Sequence, residues 1–235
     1  MITAIMQPTY LPWPGYFSLM NSVDCFVFLD DVQVERQSWQ TRNRICLSGR
    51  EQMLTVPVQK TGLDTKVMDA CVDDSKHWRK KHAKTLRQAY SSAAYGELIV
   101  NSLEMILDDR AHNTLADINI AIIICIAGIL GLDPRFLRAS ALNCGNKRSE
   151  HLIEICQRID ATSYISPEGS RTYLKEDGFT DRLGDTPMRF HRFVPGPYKQ
   201  AKCKKFIPFL SVADVIANLG PDAARSYLKE HAEYV

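Results

Sequence analysis

Short apolar runs alternate with longer segments of helical period along this chain. An apolar start ending at Ile5-Met6 breaks into a turn of prolines and aromatics that reaches Phe17. The chain resumes with Cys25-Phe26-Val27-Phe28-Leu29 and ends that run in Asp30 and Asp31. This order predicts strand, rigid loop, helix, strand, a βαβ unit presenting ligand groups at the carboxyl ends of its strands. Ile45-Cys46-Leu47, the turn Ser48-Gly49-Arg50 and the run Gln52 to Val58 predict a hairpin, with Pro57 at an edge or near a strand end. Spacing over 75–107 predicts two helices, the first capped by Ser75 and separated from the second at Ala94-Tyr95-Gly96. Thr114 caps a core helix that ends at Gly131. A strand at 136–140, a helix from the cap Ser149 to about Ile159, and a strand at 163–166 follow. The stretch up to Pro197 reads as turn-rich. Ser211 then caps a helix over 212–219, with Asp214 completing a capping-box-like pair, and Gly220-Pro221 stops it before a last short helix. The expectation is an α/β fold: a partly parallel sheet with a Rossmann-like N-terminal βαβ unit and added helices. Residues 1–235 read as one domain, with 75–132 as a candidate helical subdomain.

Composition narrows the setting. A chain of 235 residues that is 45% hydrophobic can bury a proper core. Its net charge of +2 supplies no global field, so anion affinity must come from local patches, and nucleic acid is not expected as the primary target. Seven scattered cysteines without a C-x-x-C pair argue against a disulfide framework or zinc ribbon and for a reducing compartment. No His/Cys/carboxylate spacing suggests a metal site, and no cofactor is called for. The start lacks a signal-peptide pattern, and the apolar stretch 118–132 is too short to span a bilayer. A cytoplasmic protein without membrane insertion is expected.

The candidate chemistry lies in five constellations. Gln7, Tyr10, Gly15 and Tyr16 belong to the opening loop, stiffened by Pro8, Pro12 and Pro14; backbone N–H groups near Gly15 could meet an anion, or the loop is a structural turn. Asp30 and Asp31 follow a buried run, with Gln33 two residues on. Either aspartate could orient a base, or both are ordinary strand-end residues. In an extended segment Arg42 and Arg44 share a face and form a clamp for phosphate or carboxylate, with Asn43 between them and Trp39 near enough to stack on a ring. His77-Trp78-Arg79-Lys80-Lys81-His82 puts cations beside an aromatic on a helix. His77 and Lys81 are then ligand contacts and His82 the candidate general base, against the plainer reading of a wet helix face. Gly145-Asn146-Lys147-Arg148-Ser149 resembles an anion site at a helix start but lacks Walker spacing, so ATP is not implied. Ser166, Tyr198 and Gln200 are further candidate contacts. Cys144 is the one cysteine whose neighbours suit a nucleophile.

Several unusual words co-occur in one order: Gln-Pro-x-Tyr-x-Pro-x-x-Gly-Tyr-Phe (Gln7 to Phe17), Asp-Asp-Val-Gln (30–33), Trp39 before Arg42-Asn43-Arg44, His77-Trp78 with Lys81-His82, and Phe206-Ile-Pro-x-Leu-Ser-x-x-Asp. Together they resemble the WbqC-like family over nearly the whole chain. The resemblance implies a bacterial protein linked to surface-polysaccharide or specialised-metabolite pathways. It is consistent with transfer of an acyl or aminoacyl group to an amine such as an amino-sugar. The expected partners are a phosphate-bearing small-molecule substrate and an acyl or aminoacyl carrier. Gly178 to Phe193 departs from the family pattern, which puts substrate contacts there in doubt. A non-catalytic nucleotide-sugar or carrier-binding module is one alternative. Another is a divergent nucleotidylyltransferase-like enzyme, although Tyr16 stands where that family carries its second histidine and the first is absent.

Overall fold

The computed structural model describes residues 1–35, 37–60, 62–184 and 186–235. In chain order the elements are β1 (Ile2–Met6), α1 (Pro14–Met20), β2 (Cys25–Phe28), β3 (Arg42–Leu47), β4 (Arg50–Thr55), α2 (Trp78–Tyr90), α3 (Gly96–Asp108), α4 (Leu115–Ile129) and β5 (Arg135–Arg138). They continue with α5 (Arg148–Arg158), β6 (Ser163–Pro167), α6 (Arg171–Glu176), α7 (Phe179–Arg182), β7 (Met188–Phe193), α8 (Val212–Leu219), α9 (Pro221–Glu230) and β8 (Ala232–Tyr234). β3 and β4 form a separate antiparallel hairpin, and the rest make one six-stranded sheet in the order β5-β2-β1-β6-β7-β8. All its pairings are parallel except that of β8 with β7.

Why β2 reads as an unbroken apolar run is now clear. Successive side chains face opposite ways, and both faces of a parallel strand are covered. Phe26 and Phe28 join the core shared with α1 and α4, whereas Cys25 and Val27 face the core built with α5. The chain moves outward from β1 to β2 and β5, then returns to place β6 on the other side of β1. Adjacent loops therefore diverge at the carboxyl ends of β1 and β6. Such a reversal opens a crevice there.

Helices α2, α3 and α4 share the larger core with the sheet. Arg79, in the middle of the cationic run, is 1% exposed and belongs to the architecture. It donates to the carbonyls of Leu107 and Asp109 at the end of α3, donates to that of His112, and pairs with Asp74 at 2.8 Å. It thus satisfies carbonyls that a helix end leaves orphaned.

Several local expectations are corrected. Ser75 sits in a short 3₁₀ turn capped by Asp73, and α2 begins after His77, which has φ of 51°. Ser149 lies inside α5 and donates to Asp177, while Lys147 takes the cap position. Ser211 does cap α8, but Asp214 serves Tyr198 and Gln200 instead of closing a capping box. The stretch expected to be turn-rich contains β7, whose Met188-Arg189-Phe190-His191 alternates apolar and polar before Arg192-Phe193 breaks the period. β8, only three residues long, carries no periodic signal of its own. No helix among the described residues is long and apolar enough to cross a membrane, and all seven cysteines are free thiols.

Candidate functional site

Three adjoining hollows that share Met6 line the carboxyl edge of the sheet. The largest, about 490 Å³, lies between the ends of β1, β2 and β6 and is walled by Gln7, Leu29, Trp39, Ser166 and Ser170. A second, about 380 Å³, is an aromatic slot between Trp13, Tyr16, Trp39 and Phe209, with Asn43 and Arg44 on its wall. The third, about 340 Å³, runs from Gly15 past Pro167 to His191 and Phe193. They form a cleft at the topological switch point, where open parallel sheets bind ligands.

Of the residues singled out in the sequence, Gln7, Gly15, Tyr16, Trp39, Asn43, Arg44 and Ser166 lie on the walls of this cleft. Strand β3 acts as a clamp. Asn43 donates to the carbonyls of Tyr10 and Leu11 at 3.2 and 2.9 Å, and Arg44 donates to that of Phe209 at 3.2 Å. Leu11 and Phe209 both hold left-handed backbone, with φ of 44° and 59°. Such bulky residues persist in that region only where surrounding contacts hold them. Arg44 also pairs with Glu51 at 3.2 Å and lies 5.6 Å from the Trp39 ring centroid, yet its buried Nε has no partner. Gly15 is required where it stands, because a Cβ there would come within 2.4 Å of the Trp13 indole. The ring packs over that backbone, and the Tyr16 N–H donates to the Trp13 carbonyl at 3.1 Å, so the opening loop supports Trp13. Tyr16 donates to the carbonyl of Gln7 at 3.2 Å, and burial pushes its phenol well above the usual range.

The other candidates lie elsewhere. His82 is buried between Tyr10 and Trp78 and accepts from the Tyr10 hydroxyl at 2.8 Å; its ring also hydrogen-bonds the Thr55 backbone. Burial pulls its pKa down to about 4, so it is a neutral core histidine away from the cleft walls. Asp30 is fully buried and accepts from Arg138 and from both donors of Ser140. It ties the end of β2 to the segment after β5. Asp31 meets Nε2 of His151 at 3.0 Å. Gln33 is spent on the carbonyl of Leu63, and Tyr198 and Gln200 both donate to Asp214. His77, Lys81 and Lys147 are exposed, and Arg42 is half-buried at the start of β3, outside the cleft lining. Cys144 donates weakly to the Leu142 carbonyl at 3.8 Å, and burial, with Glu154 nearby, pushes its thiol up. That is the opposite of nucleophile activation.

The histidine on the cleft wall is His191, in the strand that the sequence reading missed. Ser18 donates its single proton to the Leu228 carbonyl at 2.7 Å, so it must accept from Nε2 of His191 at 3.0 Å. The tautomer is thereby fixed, and Nδ1 is the atom His191 can offer the cleft. Burial lowers its pKa to about 4, so the ring is neutral near pH 7. The alternation of Met188 to His191, cut short at Arg192, was the available signal. The clasp between Ser18 and His191, 173 residues apart, left none. Among the described residues no group of three or more His, Cys, Asp or Glu side chains could hold a metal ion.

Comparison with known proteins agrees with the sequence words. The family model described as the WbqC-like protein family matches residues 7–226. The chain is 34% identical over 221 residues to an uncharacterized protein of Mycobacterium tuberculosis, Rv1507c, covering 94% of each chain. No solved structure matches it.

Proposed function

The chain belongs to the WbqC-like protein family, and from that premise we propose that it is an enzyme transferring an acyl or aminoacyl group to the amine of a small molecule. An amino-sugar of a bacterial surface-polysaccharide or specialised-metabolite pathway is the acceptor class that fits this reading. Its main support is the cleft at the switch point, where an aromatic slot adjoins a neutral histidine of fixed tautomer. Trp39 and Phe209, 51% and 46% exposed, offer flat faces to a sugar or other ring. Arg44 suits an anionic portion of the donor or acceptor. In the step itself the amine nitrogen forms the new C–N bond while the bond to the donor's leaving heteroatom breaks. The proton released by the amine passes to Nδ1 of His191 and on to the leaving atom. The base role thus falls to His191, since His82 has both ring contacts engaged in the core.

The test is mass spectrometry of amino-sugars incubated with the protein and acyl- or aminoacyl-thioester donors. An N-acylated product that disappears with His191→Gln, while the variant keeps its thermal stability and its ligand-induced thermal shift, supports the proposal. A second reading, a non-catalytic binding module, draws on the same cleft. Asp30, Glu51 and Glu168 are in ion pairs, Asp31 is held by His151, and His191 is a weak base. Ligand-induced thermal shifts without product from any donor would favour it.

A further inference from the structure

The largest hollow of the cleft contains an amide whose orientation can be worked out by elimination. The backbone N–H of Glu35 donates to Oε1 of Gln40 at 2.8 Å, and Nε2 of Gln40 reaches the carbonyl of Gln33 at 3.4 Å. A backbone N–H cannot accept and a carbonyl cannot donate, so two independent partners fix which end of the Gln40 amide is which. Gln40 is 1% exposed and cannot trade these bonds for water. Its Nε2 therefore also faces Gln7, to whose Oε1 it donates at 2.9 Å. By the same logic Nε2 of Gln7 points away from Gln40, and it makes no hydrogen bond among the described residues. Gln7 stands at the carboxyl end of β1 and lines the hollow.

The lining at the end of the neighbouring strand β6 is committed the other way. Ser170 gives its proton to the Pro167 carbonyl at 2.7 Å, so Ser166 must donate to Ser170 at 2.7 Å. Ser166 has no proton left for a ligand. Among the described lining residues Glu35 is the sole charged one, and it has no ion-pair partner among the described residues. The hollow thus presents a fixed neutral donor, a spent hydroxyl relay and a carboxylate.

We propose that this hollow is a subsite for an aminoacyl group, in which Nε2 of Gln7 donates to the carbonyl oxygen and the Glu35 carboxylate takes the α-ammonium. Gln40 is the positioning residue that keeps the Gln7 donor turned outward. The inference rests on the transferase reading and sharpens it, choosing aminoacyl over plain acyl donors. A donor fixed in advance on the carbonyl oxygen also stabilises the negative charge that grows there as the amine adds.

The experiment uses two probes that differ only by the α-ammonium group, alaninamide and propionamide, titrated into the full chain with its glutamine side chains labelled with nitrogen-15. Alaninamide is expected to bind at least tenfold tighter than propionamide and to shift the side-chain amide signals that are missing from Gln7→Leu. Glu35→Gln should make the two probes equal, and Gln7→Leu should weaken both about tenfold. Gln40→Met should abolish the ligand-induced shift of the Gln7 amide; should that variant fail to fold, Gln7→Leu and Glu35→Gln, at half-buried and exposed positions, carry the test. Equal affinities in the unmodified protein, or alaninamide binding indifferent to Gln7→Leu, overturns the proposal. Turnover plays no part here. Selective probe binding without any transfer leaves the subsite and removes the transferase, whereas transfer with indifferent probe binding does the reverse.

Discussion

Removing the Asp30 carboxylate tests whether that residue holds the fold or serves the chemistry. Asp30 accepts from Nε of Arg138 at 2.6 Å, from N of Ser140 at 3.0 Å and from Oγ of Ser140 at 2.8 Å. Asp30→Ala leaves both Ser140 donors without an acceptor. At a half-buried residue each orphan costs about 1 kcal/mol, the low end of the usual range. Arg138 keeps Asp117 at 2.8 Å and is 37% exposed, so solvent screens its loss and that part is held to at most about 1 kcal/mol. The expected total is about 3 kcal/mol, near the lower bound for breaking a buried ion pair. Read by urea denaturation followed by tryptophan fluorescence, this loss lowers the midpoint by about 1 M at an unchanged slope. Asp30→Asn, which still offers an oxygen to the Ser140 N–H, should lose about half as much. A midpoint displaced by less than about 0.3 M refutes the reasoning. Abolished transfer in a fully stable Asp30→Asn would return this residue to the chemistry.

Burial raises the Asp214 carboxyl to about 6, so its favourable contribution is complete below about pH 4 and is lost as pH rises through about 6, a change of about 3 kcal/mol. The stability advantage of Asp214→Asn over the unmodified protein should therefore grow between pH 4.5 and about pH 7.5 in urea titrations, and a constant gap contradicts the assignment. His82 has the opposite sign: its folded pKa near 4 lies below the unfolded value, so stability present above about pH 6.5 is lost as pH falls toward 4, again by about 3 kcal/mol. His82→Gln should flatten that acid limb and leave transfer intact; an unaltered acid limb would show that the imidazole is not held neutral. Trp39→Ala and Phe209→Ala should weaken ring-bearing ligands, as measured by calorimetry, with thermal melts confirming that both variants fold. Unchanged affinity in both would remove the aromatic slot from the binding site.

Much of the fold was legible in the order of residues because its signals are local. The run Cys25 to Leu29 announced a strand covered on both faces, Thr114 and Ser211 announced helix starts, and the proline-stiffened loop announced a fixed turn. The Gln7-to-Phe17 and Arg42-Asn43-Arg44 words also marked half of the cleft, since rigid loops and a β-hairpin clamp leave compositional traces. The chemistry of individual groups was not legible. The sequence shows His82 among neighbours that invite catalysis and gives no sign that it is walled in by Tyr10 and Trp78. Nor does it show that His191 is clasped by Ser18 from the far end of the chain. Burial, tautomer and amide orientation are set by partners brought together through sheet order, and β6 joins β1 only after 160 intervening residues. Local pattern chose the elements; only their packing decided which polar atoms were spent on the fold and which were left facing the cleft.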